Sequence, residues 1–299
     1  MGIKTAGALK PLQYIQESTF GTLPSGTLSY GGKISTQSQT NSFEIETFCS
    51  DGSRTTEIVN YGAQEVGFEI EAGTYLDSGS YSWTWLLTMA LGTSSARSDI
   101  PSFSALFEVA PDQHYLYRGC KVDGLTLSAS GVGKMVTAQV TAKAMTGKAG
   151  STKSELCSNT DATVPALNPV THNSYPVIIL NSTDTTIPAK SWSIAIANGL
   201  KLEEGIVDGK ALKAGTMIYP DGLLDITLEY TIASTSLVWD RLKMLADEQP
   251  RFTVKHAIGG YVLTFTDCWL QPDDMPSRAQ SGYDETITIK ASDVSWSKA

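Results

Sequence analysis

The residues best suited to chemistry in this chain are its three histidines, four cysteines and a few acidic pairs. His114, His172 and His256 are scattered, and none lies beside a Ser or Cys in a nucleophile motif. Gly131-Val132-Gly133-Lys134 has the outline of a phosphate loop, in which backbone N–H groups and a lysine cradle an anion. However, it lacks the leading glycine at the Walker spacing. Met135 also stands where a Ser or Thr must hold magnesium, and the segment lies between two strand patterns instead of opening a helix. A glycine hairpin accounts for it better. Asp273-Asp274 and Asp284-Glu285 flank a loop with Pro276 and Gly282. A calcium loop needs a ladder of oxygen ligands, which is missing, so acidic turn residues are expected. Asn181-Ser182-Thr183 is a glycosylation sequon, with meaning only in a secreted protein. Cys49, Cys120, Cys157 and Cys268 form neither a disulfide framework nor a zinc pattern, and free thiols in a reducing compartment are expected. No catalytic constellation, metal or cofactor follows, and the chain reads as a non-enzyme.

What the sequence does contain is one arrangement of elements, twice. YGAQEVGFEIE, Tyr61 to Glu71, lies over YPDGLLDITLE, Tyr219 to Glu229, each an alternating strand followed by small polar residues and a helical pattern. The apolar stripe Trp83, Leu87, Ala90 repeats as Val238, Leu242, Leu245. Upstream, Ser42 to Thr47 lies over Ser191 to Ile196. Downstream, Cys120 lies over Cys268, and QVTAKA from Gln139 lies over TITIKA from Thr286. Spacing changes only between elements, where loops absorb insertions. A long period seen only twice indicates duplication and not a solenoid.

The expected organisation is an N-terminal arm over 1–26, a first copy over 27–146, a linker and second arm over 147–176, and a second copy over 177–299. A short helix runs from Ser80 to a stop at Gly92, and its partner runs from Ser234 to Glu248. The second helix carries Asp240, Arg241, Lys243 and Asp247 on its outer face, whereas the first carries Trp85, Leu86 and Met89. Burying each of those three is worth roughly 1.5 to 3 kcal/mol, so this face is expected to be covered by another domain or subunit.

The composition is 41% hydrophobic and only 18% charged, with net charge -9. Low charge with abundant Gly, Ser and Thr suits a β-rich protein that hides surface in an assembly. The acidic balance argues against nucleic-acid binding by phosphate neutralisation. MGIKTAGALKPLQYIQ has no apolar core before a cleavage site, so no secretory signal is expected. No run approaches the roughly 18 apolar residues of a membrane helix.

The arm with QESTFGTLPSG, Gln16 to Gly26, the FEIET strand, a long hairpin loop, the GFEIE strand, one short helix and a closing set of strands together resemble the major tail tube proteins of long-tailed, noncontractile bacteriophages. The resemblance spans essentially the whole chain, in two copies. It implies a mainly β fold: two tandem β-sandwich or half-barrel tube domains, each with one short helix, joined into a continuous β-barrel ring. It further implies homotrimer rings that stack into the tube of a virion tail assembled in the bacterial cytoplasm, six chains per ring being the other arrangement left open. Tape-measure, tail terminator and distal tail proteins are the implied partners, and double-stranded DNA passes through without specific binding.

Under that resemblance, Glu44, Glu46, Glu69, Glu71 and Glu229 fall on the face opposite Phe43, Ile45, Phe68 and Ile70, and are the candidates for the channel lining. Ser193, Ala195 and Ala197 stand against Glu44, Glu46 and Phe48, so the lining would alternate acidic and neutral. The hairpin loops are candidates for ring stacking, through Cys49, Asp51, Arg54 and Asn60 in the first copy and Glu203, Glu204, Asp208 and Lys210 in the second. Two other classes compete: a monomeric tandem β-sandwich for adhesion or carbohydrate binding, and the tube of a contractile tail or secretion system.

Overall fold

The computed structural model describes residues 11–48, 58–79, 81–92, 100–110, 112–202, 206–207, 210–211, 218–220, 223–233, 250–271 and 284–299. The first half contains β1 (Leu12–Gln16), β2 (Ser29–Gly32), β3 (Ile34–Phe48), β4 (Ile58–Gly73), α1 (Trp85–Leu91), β5 (Phe103–Ala110), β6 (Gln113–Ala129), β7 (Thr137–Ala144) and β8 (Thr146–Gly150). After a 3-10 turn at Lys153–Glu155, the second half contains β9 (Val177–Leu180), β10 (Thr183–Thr186), β11 (Ala189–Ala197), β12 (Leu200–Leu202), β13 (Ile206–Val207), β14 (Lys210–Ala211) and β15 (Ile218–Pro220). It continues with β16 (Asp225–Ala233), β17 (Phe252–Ile258), β18 (Tyr261–Leu270), β19 (Asp284–Ala291) and β20 (Asp293–Lys298). The expected second helix, 234–248, lies outside the described residues.

The same ladder is built twice. In the first half β2, β1, β5, β6 and β8 are consecutive neighbours, and so are β3, β4, β7 and β6. In the second half β10, β9, β17, β18, β20 and β11, β16, β19, β18 repeat both orders. Even the irregularities recur: register shifts lie between Ile34 and Thr36 and between Ala189 and Ser191, and Phe103 faces Cys120 as Phe252 faces Cys268. The two halves then join through their strands. Trp192–Ala197 of β11 pairs antiparallel with Gly124–Ala129 of β6, giving one sheet in the order β3, β4, β7, β6, β11, β16, β19.

These ladders adjust the alignment expected from sequence. With Gln139 matched to Thr286, the pairs Glu69 with Thr141 and Glu229 with Thr288 make Glu69, not Glu71, the counterpart of Glu229. Likewise Ser191 faces Thr231 as Thr36 faces Glu71, so β11 corresponds to the start of β3 and not to Ser42 onward. Both corrections are even-numbered slips. A strand alternates faces with period 2, so such a slip leaves the in/out pattern intact and is invisible to pattern matching. Phe43–Phe48 belongs to the part of the β3–β4 hairpin beyond the β7 ladder, and Leu200–Leu202 with Ile218–Pro220 extends the equivalent hairpin.

The arm is also more structured than expected. β1 pairs with both β2 and β5, and β9 holds the matching place beside β17. Glu17, directly after β1, is buried and ties the arm to the sheet: it accepts bonds from Ser104 Oγ at 2.6 Å, Gly119 N at 2.9 Å and Gly21 N at 2.8 Å. Burying a carboxylate without such donors would cost several kcal/mol. The linker is bonded along the first half, with β8 on β6, Thr160 with Gly26 and Leu28, and Val170 with Thr74 and Val136.

Helix α1 starts after Thr84, later than Ser80, and stops at Gly92 (φ 75°) as expected. Its stripe residues Trp83, Leu87 and Ala90 are buried, but so are Trp85, Leu86 and Met89. The face expected to be covered by another domain or subunit is already buried within this chain. Tyr14 of the arm stacks on Trp85 at 4.2 Å, and Trp83 packs edge-on to Tyr261 of the second half at 5.8 Å. Gly259 makes that approach workable: it has φ +58°, and a Cβ there would lie 2.7 Å from Trp83 Nε1.

One hydrophobic cluster runs through both halves. In the first, Phe68 packs against Phe103, Phe107 and Tyr117. In the second, the core holds His256, with His172, Trp192 and Tyr230 around it at 6.4, 4.7 and 5.8 Å between rings. Among these groups, His172 Nε2 meets the Ala189 carbonyl at 3.0 Å, while His172 Nδ1, Trp192 Nε1 and Tyr230 Oη lack a protein partner. Burial, then the neighbouring His172, push the His256 pKa down from 6.5 to about 3. The unfolded chain therefore takes up the proton first, and stability is full above about pH 6.5 and falls as pH drops toward 3. In chemical denaturation between pH 7 and 5, the contribution of this residue should approach about 1.4 kcal/mol per pH unit. His256→Leu is expected to flatten that slope.

Candidate functional site

The face of the joined sheet away from the core is the surface that both halves build together. Alternation puts Phe68, Ile70, Val140, Ala142, Leu125, Leu127, Ile194, Ile196, Leu228 and Tyr230 inside. Their neighbours point the other way: Glu69 and Glu71 on β4, Gln139, Thr141 and Lys143 on β7, Thr126 and Ser128 on β6, Ser193 and Ala195 on β11, Thr227, Glu229 and Thr231 on β16, Thr288 and Lys290 on β19. Glu69 and Glu71 are half-buried and Glu229 is exposed. For Glu44 and Glu46 only the strand position is described, with Glu46 facing Asn60.

The lysines on this face are absent from the lining expected on sequence grounds. Lys143 and Lys290 hold the same place in the two ladders, and each is tied down. Lys290 Nζ donates to Asp225 at 2.8 and 3.1 Å and to Thr227 Oγ1 at 2.6 Å. Lys143 Nζ donates to the Leu200 carbonyl at 2.7 Å and lies 3.7 Å from Asp123. Gln139 donates to Glu69, and hydroxyls meet across strands at Ser128 and Thr137 and at Thr231 and Thr286. The face is a polar carpet of hydroxyls with tethered charges of both signs. Its lysines are legible in QVTAKA and TITIKA, since residues 139, 141 and 143 share one side of a strand.

The ring-stacking candidates Cys49, Asp51, Arg54, Glu203, Glu204 and Asp208 lie outside the described residues. Asn60 is placed in β4 and Lys210 in β14. Ser193 takes the place of Ser38, because Ser193 faces Glu229 as Ser38 faces Glu69. The expected contrast of Ser193 with Glu44 therefore does not hold in the ladder.

Nothing in the described residues assembles a reaction centre. His114 pairs with Glu108 at 3.4 Å, while His172 and His256 are sealed in the second core. Among the described residues no group of three His, Cys, Asp or Glu is placed to hold a metal, and no helix is long and apolar enough to cross a membrane. The glycine hairpin at Gly131 and Gly133 is a turn with φ +73° at Gly133, and its backbone bonds to His172.

A family model described as phage tail tube protein matches residues 7–297, nearly the whole chain. Among curated proteins none matches.

The buried thiols give a chemical test of the fold. Burial raises the Cys120 pKa well above the ordinary range, with the Glu17 carboxylate adding to it, and pushes Cys268 up to about 12. Both should therefore resist alkylation at pH 8 in the native protein and react once it is unfolded. Mass spectrometry of tryptic peptides reads the outcome.

Proposed function

Because the chain belongs to the phage tail tube family, a structural component of the virion tail, we propose that it polymerises as stacked rings of three chains around a channel for the genome. The single observation that carries this is the joined sheet with its two lateral edges. Within one chain the β6–β11 seam links the two tube domains, β1 to β8 and β9 to β20. Among the described residues β3 pairs only with β4, and β19 meets β18 only through Trp269 and Leu270. Long unpaired edges invite another strand, and closing a sheet on itself removes them. Three chains, each bringing two domains, close six domains into one barrel. The seam already formed within the chain is the pattern that neighbouring chains repeat.

In this reading the polar face lines the channel. Glu44, Glu46, Glu69, Glu71 and Glu229 repel the DNA phosphates, while Lys143 and Lys290 are held by aspartates and cannot reach out to them. Repulsion is screened beyond roughly 8 Å at physiological salt, so the wall is a nonstick lining and not a barrier. The hairpins carrying Cys49, Asp51, Arg54 and Asn60, and Glu203, Glu204, Asp208 and Lys210, stack one ring on the next. Assembly takes place in the host cytoplasm with tape-measure, terminator and distal tail proteins.

Negative-stain microscopy of the concentrated protein should show rings or tubes, with six lobes per ring and a ring mass of three chains by native mass spectrometry. A strict monomer overturns the assembly reading, and six chains per ring overturns the trimer. Changing Glu44, Glu46, Glu69 and Glu71 to lysine should leave rings intact but make them retain DNA, with retention declining steeply as salt rises. Normal genome ejection from virions built with such tubes would refute the nonstick lining.

A further inference from the structure

Where the two halves meet, the β6 ladder is interrupted by one extra residue, Asp123, between Val122 and Gly124. Its carbonyl and one carboxylate oxygen turn to the second half, while the other carboxylate oxygen lies 3.7 Å from Lys143 Nζ. The Asp123 carbonyl accepts Asn198 N at 2.8 Å, its carboxylate accepts Leu200 N at 2.7 Å, and Lys143, beside it, donates to the Leu200 carbonyl at 2.7 Å. The Asn198 side chain completes the junction. It is buried, with 5% of its surface exposed, and its amide nitrogen donates to the carbonyl of Ala90, in the last turn of α1, at 2.7 Å and to Val122 at 2.8 Å. One carboxamide thus ties the second half to both the helix and the bulge of the first.

The ladders allow this seam to be compared with the one that a neighbouring chain would form. Ala197 faces Asp225 as Ser42 faces Glu65, so Phe43 stands in place of Asn198. Leu270 faces Ile289 as Val122 faces Ala142, so Gln271 stands in place of Asp123. An aromatic ring thus stands where the clamp has its carboxamide, and a neutral amide stands where it has its carboxylate. The core-facing side of β3 also differs, with Gln37 and Gln39 opposite Ile70 and Phe68 where β11 carries Trp192 and Ile194 opposite Tyr230 and Leu228.

We infer that Asn198, with Asp123 and Lys143, is a positioning group that sets the angle between the two halves and thereby the curvature at which a second copy can close the ring. This rests on the proposed ring. Closing a barrel requires strand tilt and stagger to agree all the way round. The seam inside the chain carries this clamp and the second seam has other residues at the Asn198 and Asp123 places, so the first fixes the geometry and the seam between chains conforms.

The test compares ring diameters by negative-stain class averages, with wild-type rings as the reference. Asn198→Ala should give a folded protomer whose rings lose their uniform diameter, appearing as mixed sizes or open arcs. Lys143→Met removes the Leu200 bond without touching the core and should broaden the diameter distribution in the same direction, which keeps the test open if Asn198→Ala does not fold. Lys190→Met, which breaks the exposed pair with Asp284 inside the second half, should leave the diameter unchanged. Wild-type protein that makes no rings would refute the ring reading itself. Wild-type rings with clamp variants of identical diameter, even at lowered melting temperature, would overturn the clamp, as would equal broadening by Lys190→Met.

Discussion

The structure depends on six residues of β11 adding to an edge of β6. That pairing turns the ladders of the two halves into parts of one sheet, and it brings Trp192, Ile194 and Ile196 over the same core as Leu125, Leu127 and Ala129. Backbone hydrogen bonds set the register, and the apolar side chains below make any one-residue slip expensive, since it would turn them all to water. The other contacts at the junction obey this register. Trp83 lies on the β17–β18 hairpin, His172 reaches from the linker into the second core, and Asn198 closes the end of the seam.

Much of this is legible in the sequence because alternation and order survive where identity does not. The strands Glu65–Ala72 and Leu223–Thr231, the stop at Gly92 and the buried Trp83, Leu87, Ala90 stripe all come from periodicity. Exact register does not, because a strand pattern slipped by two or six residues looks the same. That is why the pattern matches Glu71 to Glu229 and Phe43 to Trp192. The covering of Trp85 is illegible for another reason: Tyr14 is far away in sequence, in a segment whose polar composition suggests an arm. Asn198 and Glu17 are single polar residues whose role comes from the carbonyls and amides that the fold collects around them, and no spacing announces that.

If the outward face lines a channel, as proposed, it is a surface that is polar without being adhesive. Rows of Thr and Ser stay hydrated, and the two lysines spend their hydrogen bonds on neighbouring aspartates and carbonyls. A free lysine would be a flexible point charge; in this sheet its reach is shortened by its partners. The duplicated position of the lysines means that both halves keep this compensation although their other outward residues differ.

The linker between β8 and β9 is fastened to the first half almost from end to end, by β8 on β6, by Asn159 on Pro24 and Gly26, by Asn168 on Leu76 and by His172 on Gly133 and Lys134. Trading of matching parts between chains starts from a hinge that can swing open, and this strap supplies no slack for one. Each second half is thereby held against the first half of its own chain, an arrangement that disfavours swapped oligomers.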